Sequence, residues 1–333
     1  MKGFDMTHQR ATTLLALAAL GTVHAAPLFA QTQAYPTRPI RMVVGFPPGG
    51  FTDILARQIG DRLTPVMGQT IVIDNRGGSA GIIGADHMAK SKPDGYTLLM
   101  GHNSSNAIAP SLYAKLPYDV RKDFMPIALA GSVATVLVVH PSVPAKSLKE
   151  FIAVVGSTKG QFRVASAGMG STQHLAIERF KLATGTQLIH VPYKGSGPAA
   201  IDLLGGHVDA NFDAIGVVLP YVRSSKLRAL GVGTMERIPQ LPELRTMHEQ
   251  GLANFESGSW FGVFAPAGTP AAVIERWSTA LRALQAQPEF AERIIGLGGQ
   301  LAKPNTPAEF TAYIDKEIDR WGKIIRAANV RVE

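Results

Sequence analysis

The chain contains no cysteine. Disulfides, thiolate metal sites and a cysteine nucleophile are thereby excluded, as is lipidation at a lipobox. Runs of lysine and arginine are missing as well, although the formal charge is +8 over 333 residues. So dispersed an excess speaks for solubility and a mild pull on small anions, and against nucleic acid as a partner. The nine histidines form no His-Glu-x-x-His pattern and no close pair, so neither a metal nor a cofactor is expected. Uncharged stretches of membrane-spanning length are absent; the N-terminal run from Ala11 to Leu20 is too short to span a bilayer and breaks at Gly21 and Pro27.

That one run has a different use. Lys2 and Arg10 precede it, and Val23-His24-Ala25 and Leu28-Phe29-Ala30 offer small residues after it. The pattern predicts a cleavable secretory signal over residues 1–30 and a mature protein outside the cytoplasmic membrane.

What the sequence does contain is a repeated strand-loop-helix pattern. Pro39 to Val44 reads as a short β-branched strand and Ile54, Leu55, Ile59 and Leu63 recur at helical spacing, with Gly45-Phe46-Pro47-Pro48-Gly49-Gly50-Phe51-Thr52-Asp53 between them. Glycines there uncover backbone amides beside a helix N-terminus, which favours anions. Phe162 to Ala165, the loop Ser166-Ala167-Gly168-Met169-Gly170-Ser171 and a helix with Leu175, Ala176, Phe180 and Leu182 repeat the arrangement. Two such cradles suggest one small acid gripped from both sides.

Strand and helix alternate through Thr70–Asp74, Ile82 to about Lys90, and Tyr96–Met100, which is followed by a polar loop from Gly101 to Asn106. Alternation of this kind means parallel sheet, with ligands at the carboxyl ends of the strands. Ile127 to Val139 is long for one strand and reads as a crossover between domains, mirrored by Leu227 to Gly233. Those crossings divide the chain into a discontinuous lobe of residues 31–131 and 231–333 and a second lobe of 132–230, with hinges near Gly131 and Gly231. Ser147 with Glu150 and Thr306 with Glu309 spell capping boxes, and two helices are expected after the strand Trp260–Pro266.

Several side chains near these loops have two readings. Asp53 either holds its own loop or accepts a ligand ammonium, and Asp213, at a strand end, has the same choice. Ser104, His174 and Tyr193 sit on loops or first helical turns at strand ends, and Phe46, Phe51, Tyr193 and Trp260 either flank a ligand or fill the core. Gly77-Gly78-Ser79-Ala80-Gly81 formally spells a nucleophile elbow, which makes a serine hydrolase using Ser79 the catalytic alternative. A bulky residue at Gly170, such as Gly170→Val, is expected to block binding and leave the domain folded.

The ordered set of motifs resembles the Bug-type extracytoplasmic solute receptors, the periplasmic binding proteins of tripartite tricarboxylate transporters. Tyr35-Pro36, Val44 to Asp53, Asp74-Asn75-Arg76, Lys92 to Leu99, Ser166 to Ser171, His190 to Gly195, Asp202 to Gly206 and Trp260 to Pro270 carry the resemblance over nearly the whole mature chain. It implies an α/β fold of two lobes, a Venus flytrap of the type II kind with a mostly parallel sheet and flanking helices in each. It also implies a periplasmic monomer that binds a small carboxylate and delivers it to membrane transporter subunits, or alternatively serves a sensor kinase, and performs no chemistry. The family's carboxylate-holding loops correspond to Phe46, Gly49, Gly50 and Asp53 on one side and to Ser166, Gly168, Gly170 and Ser171 on the other. Pro47 and Ala167, in the same two loops, are candidates of this chain's own. This chain has Pro47-Pro48 where relatives often carry small residues and Ser105-Asn106 where Thr-His is common.

Overall fold

β1 (Ile40–Val44) is buried at four of its five positions. A strand this apolar needs cover on both faces, and it finds it in a parallel sheet between β2 (Ile71–Asn75) and β3 (Thr97–His102). The crossovers are α1 (Phe51–Met67) and α2 (Ile82–Ala89). These and all later elements come from a computed structural model, which describes residues 35–158, 160–327 and 330. The expected signal, residues 1–30, lies outside the described residues. Residues 36–333 group as one unit.

After the short α3 (Ala109–Leu112) comes β4 (Phe124–Val139), one strand of 16 residues. It is followed by α4 (Leu148–Ser157), β5 (Arg163–Ser166), α5 (Thr172–Thr184), β6 (Ile189–Pro192) and α6 (Ser196–Leu204). Then come β7 (Ala210–Ala214), α7 (Ile215–Arg223), β8 (Arg228–Val232) and β9 (Gly258–Pro266). The chain closes with α8 (Ala271–Gln285), α9 (Pro288–Gly296), β10 (Gly299–Leu301) and α10 (Pro307–Ala327).

The strand order is β2-β1-β3-β9-β4-β7-β5-β6, with β8 and β10 also paired to β4. β4 is the spine of the molecule. Its first part, Phe124 to Ala134, pairs antiparallel with β9, and its last five residues pair with β7. Two parallel blocks, β2-β1-β3 and β5-β6 with β7, are thus joined through antiparallel strands, giving a two-lobed α/β fold. Each block has its own core. Val43, Leu99, Phe264, Phe310 and Trp321 centre one, and Phe151, Phe180 and Phe212 the other. Met247, Leu252 and Phe255 belong to the second core, so the segment after β8 stays with it until β9 leads back.

Four expectations are corrected. The segment 101–106 is no open polar loop: Gly101 and His102 finish β3, and Ser104–Ile108 makes one π-type turn buried throughout. Three helices, not two, follow β9. The extra one, α9, starts with Pro288 at its first turn and buries only Phe290 and Ile294, one turn apart, so its pattern is brief. α7 was not foreseen because Ile215, Val217, Val218 and Leu219 are all buried and show no polar face. At the Ser147 cap, Ser147 Oγ does accept from the Glu150 amide at 3.2 Å, but Glu150 reaches the Lys146 amide at 2.6 Å. Thr306 and Glu309 form the full reciprocal box, at 2.8 and 3.2 Å. Among the described residues no helix is long and apolar enough to cross a membrane.

Candidate functional site

The first loop is built around Asp53, which is 4% exposed. Its carboxylate accepts from the Gly49 amide at 3.2 Å and Asn75 Nδ2 at 2.9 Å, and Arg57 grips it from one turn on at 2.9 and 3.1 Å. Burial works against the charge, but the hydrogen bonds of Arg57, Asn75 and Gly49 outweigh it and hold the carboxyl below its ordinary range. Gly49 takes φ 89°, which suits glycine. Of the two readings of Asp53, its contacts match the loop-holding one. Asp53→Ala is expected to lower stability by about 1–3 kcal/mol in urea denaturation, because it removes at once the acceptor of Asn75 Nδ2, Arg57 and the Gly49 amide.

Held this way, the loop delivers the start of α1. The amides of Asp53 and Ile54 reach Gly50 O at 3.0 and 3.1 Å. Phe51 and Thr52 come before any carbonyl their helix can offer, so their amides are left without an intrahelical acceptor. Both residues, with Phe46 and Gly50, line a cavity of about 20 Å3, room for about one water.

The facing wall comes from three further helix starts: Gln173 in the first turn of α5, Ser196 opening α6, and Ala214 at the N-cap of α7. Ala167 contributes from the second loop, and Val133, Ser259 and Phe261 from the strands between the two halves. Four helix N-termini therefore meet at one cavity, and none of its described lining residues is lysine or arginine. The partial positive ends of the helices supply the field that an anionic oxygen would need.

His102 completes the wall. Its ring packs 4.9 Å from Phe46 and 5.2 Å from Phe261, centroid to centroid, and Nδ1 accepts from the Ser104 amide at 3.0 Å. Burial pushes its pKa down to about 3, so the ring is neutral and its proton sits on Nε2.

The second loop is tied mostly to itself. Ser166 Oγ lies 2.6 Å from His190 Nε2 and accepts from the Gly168 amide at 3.1 Å. His174 Nδ1 accepts from the Gly170 amide at 3.2 Å, and Ser171 Oγ caps α5 on the His174 amide. The two imidazoles stack at 4.3 Å, and burial, the largest cause for both, lowers their pKa values, that of His190 to about 3. Ser104 Oγ accepts from the Thr172 amide at 3.3 Å, Asn103 Oδ1 accepts from Thr172 Oγ1 at 3.0 Å, and Tyr113 donates to Met169 O at 3.3 Å. These bonds fasten the second loop to the first half of the molecule.

Of the residues expected to hold ligand, Phe46, Gly50 and Ala167 line the cavity. Gly49, Asp53, Ser104, Ser166, Gly168, Gly170, Ser171 and His174 do not line it and are engaged in the bonds given above. Pro47 sits against the loop that starts α6, where a side chain on Gly195 would meet its Cδ at 2.9 Å. Tyr193 is half-buried and donates to Asp202 at 2.6 Å. Asp213 is buried behind Ser196 and accepts from Asn211 Nδ2 and the Ala214 amide, both at 2.8 Å. The lining residues not foreseen are Thr52, His102, Val133, Gln173, Ser196, Ala214, Ser259 and Phe261, the last adjacent to the foreseen Trp260.

Trp260 faces elsewhere, into a hollow of about 620 Å3 that touches neither glycine loop. Ser79 is corrected too: it is exposed at φ 47° and bonds to no histidine among the described residues, so no elbow forms. Gly170→Val cannot serve as a silent probe. Gly170 has φ 75°, and a side chain there would meet Leu112 and Tyr113 at 3.0 Å, so the fold itself would be strained.

Comparison with known proteins adds a second, independent line. The family model described as "Tripartite tricarboxylate transporter family receptor" matches residues 55–330. Protein BugT of Bordetella pertussis is 39% identical over 314 residues, covering 93% of this chain and 94% of BugT. A Rhodopseudomonas palustris protein solved with bound malate, MatC, superposes with a TM-score of 0.83 at 33% identity, covering 87% of this chain and all of that one. An R. palustris protein solved with adipate gives 0.87 at 34% identity, covering 89% and 99%.

Proposed function

Because the chain belongs to the tripartite tricarboxylate transporter receptor family, whose members are solute-binding receptors and not enzymes, we propose that it binds a small carboxylate between its two halves and hands it to a membrane transporter. The observation that carries this reading is the meeting of four helix N-termini at one cavity with no cationic side chain. A carboxylate there takes the Phe51 and Thr52 amides and the His102 proton, each fixed in place before the ligand arrives. Bound malate and adipate in two structural neighbours support the ligand class. A secretory signal over residues 1–30 and a periplasmic location fit a receptor of this kind.

The walls enclose too little space for an organic acid, so entry requires them to part. We take the lobes as 31–131 with 231–333 and 132–230, with a bend near Gly131; because Met247, Leu252 and Phe255 pack in the second core, the return bend falls nearer the start of β9 than Gly231. Ligand touches both walls only when they are together, and its affinity for that state shifts the population toward closure. The test is thermal denaturation of the protein against a panel of small acids, amino acids and amides. A compound at a hundred times its dissociation constant adds about 2.7 kcal/mol, a shift of several degrees. No shift from any acid would sink the proposal.

A further inference from the structure

We infer that Gln173 selects among small acids for those carrying a hydrogen-bond donor, a hydroxyl or an amide N–H, beside the carboxylate. The inference rests on the receptor reading above and concerns the part of the ligand that the helix starts do not hold.

Gln173 is 4% exposed, lines the cavity, and is only half satisfied. Its Nε2 donates to Ser196 Oγ at 3.3 Å, whereas Oε1 is buried with no partner among the described residues. A buried carbonyl left unpaired costs about 1–3 kcal/mol, and the cavity beside it is where a partner would arrive. Which end of the amide is spare is decided further back. Asp213, itself 1% exposed, accepts from Asn211 and the Ala214 amide, and the Ser196 hydroxyl lies close enough to work against the rise of its pKa. A serine hydroxyl has one proton. Given to Asp213, it leaves Ser196 Oγ able only to accept, so Gln173 must turn its NH2 toward it and its oxygen away. The relay Asp213–Ser196–Gln173 thus fixes an acceptor at the cavity wall, opposite donors from Phe51, Thr52 and His102. A ligand matching both walls carries a carboxylate at one place and a donor at another. An acid without the donor buries Oε1 unpaired.

The experiment uses matched pairs that differ by one hydroxyl: malate against succinate, lactate against propionate, and 3-hydroxybenzoate against benzoate. Binding is measured by calorimetry on the intact protein above pH 7, where Asp213 is ionised. In whichever pair binds, the hydroxy acid is expected to bind at least about tenfold tighter. Gln173→Met, which keeps the bulk and removes the acceptor, should bring that ratio to near one. Ser196→Ala, which frees the amide to rotate, should lower it part of the way and keeps the test open if the methionine variant folds poorly. Acids that bind with no preference, or a preference that both variants retain, overturn the role of Gln173 and leave the receptor reading standing. Failure to bind by all six acids and by every acid of the thermal panel above would overturn both.

Discussion

Replacing Glu317 with leucine is expected to destabilise the protein by about 2–6 kcal/mol, while Glu317→Gln costs far less. Glu317, on α10, is a single acceptor shared by two tryptophans: Trp260 and Trp321 each donate Nε1 to Glu317 Oε2 at 3.0 Å. Both indoles are buried, at 3% and 1% exposed. Leucine fits the volume but strands two buried N–H groups at once, and Arg320, 2.9 Å from Glu317 Oε1, loses its nearest partner. Glutamine retains one carbonyl oxygen for the indoles. Urea denaturation of the three proteins decides it. Leucine and glutamine variants of equal stability would show that the indole hydrogen bonds contribute nothing measurable.

Asp213→Asn is expected to have the opposite sign and to act through pH. Burial pushes the Asp213 carboxyl up to about 7 from the ordinary 3.8, against smaller opposing effects of Ser196, the Ala214 amide and Asn211. Between those two values the folded chain keeps a proton that the unfolded chain has released. Stability therefore falls as pH rises from about 4 to about 7, and the penalty is complete above that. The two values lie about three pH units apart, on the order of 4 kcal/mol for a wholly buried group. Asparagine keeps an acceptor for Ser196 and the Ala214 amide and carries no charge, so the variant should gain stability above pH 7 and lose this slope. Urea midpoints across the pH series test it. An unchanged slope in the variant would assign the pH dependence to other groups.

What was legible in the sequence was local. Gly49-Gly50 before a helical pattern and the Thr306–Glu309 box are read from residues a few positions apart, and each forms where expected. The cavity is not local: it draws on four helix starts and three strands from distant parts of the chain. Gln173 and Ser196 look from sequence like ordinary first-turn residues, and only the juxtaposition of α5 with α6 pairs them. Trp260 and Phe261 illustrate the other limit. Successive residues of a strand face opposite ways, so choosing between them needs the strand's parity. In β9 nearly every position is buried on both faces, and no polar alternation marks which aromatic looks at the cavity. Asp53 was legible as a conflict, a carboxylate at an anion-favouring loop, and its pairing with Arg57 and Asn75 was not, because those partners come from one turn on and from β2.

The position of β9 bears on how the chain comes to be made. β3 and β4 are consecutive strands, yet they are not neighbours: β9, encoded after the whole second core, lies between them. A nascent chain that has emerged only as far as β8 already contains β1 to β4, but the centre of its first sheet is an open slot with two unpaired edges. Such edges recruit strands from other molecules as readily as their own. The second core can consolidate early, whereas the first must wait until Gly258–Pro266 is available, which makes for slow, long-range assembly. A chaperone that covers the β3 and β4 edges during that interval would raise the yield of folded protein, and C-terminal truncation before β9 would yield aggregate.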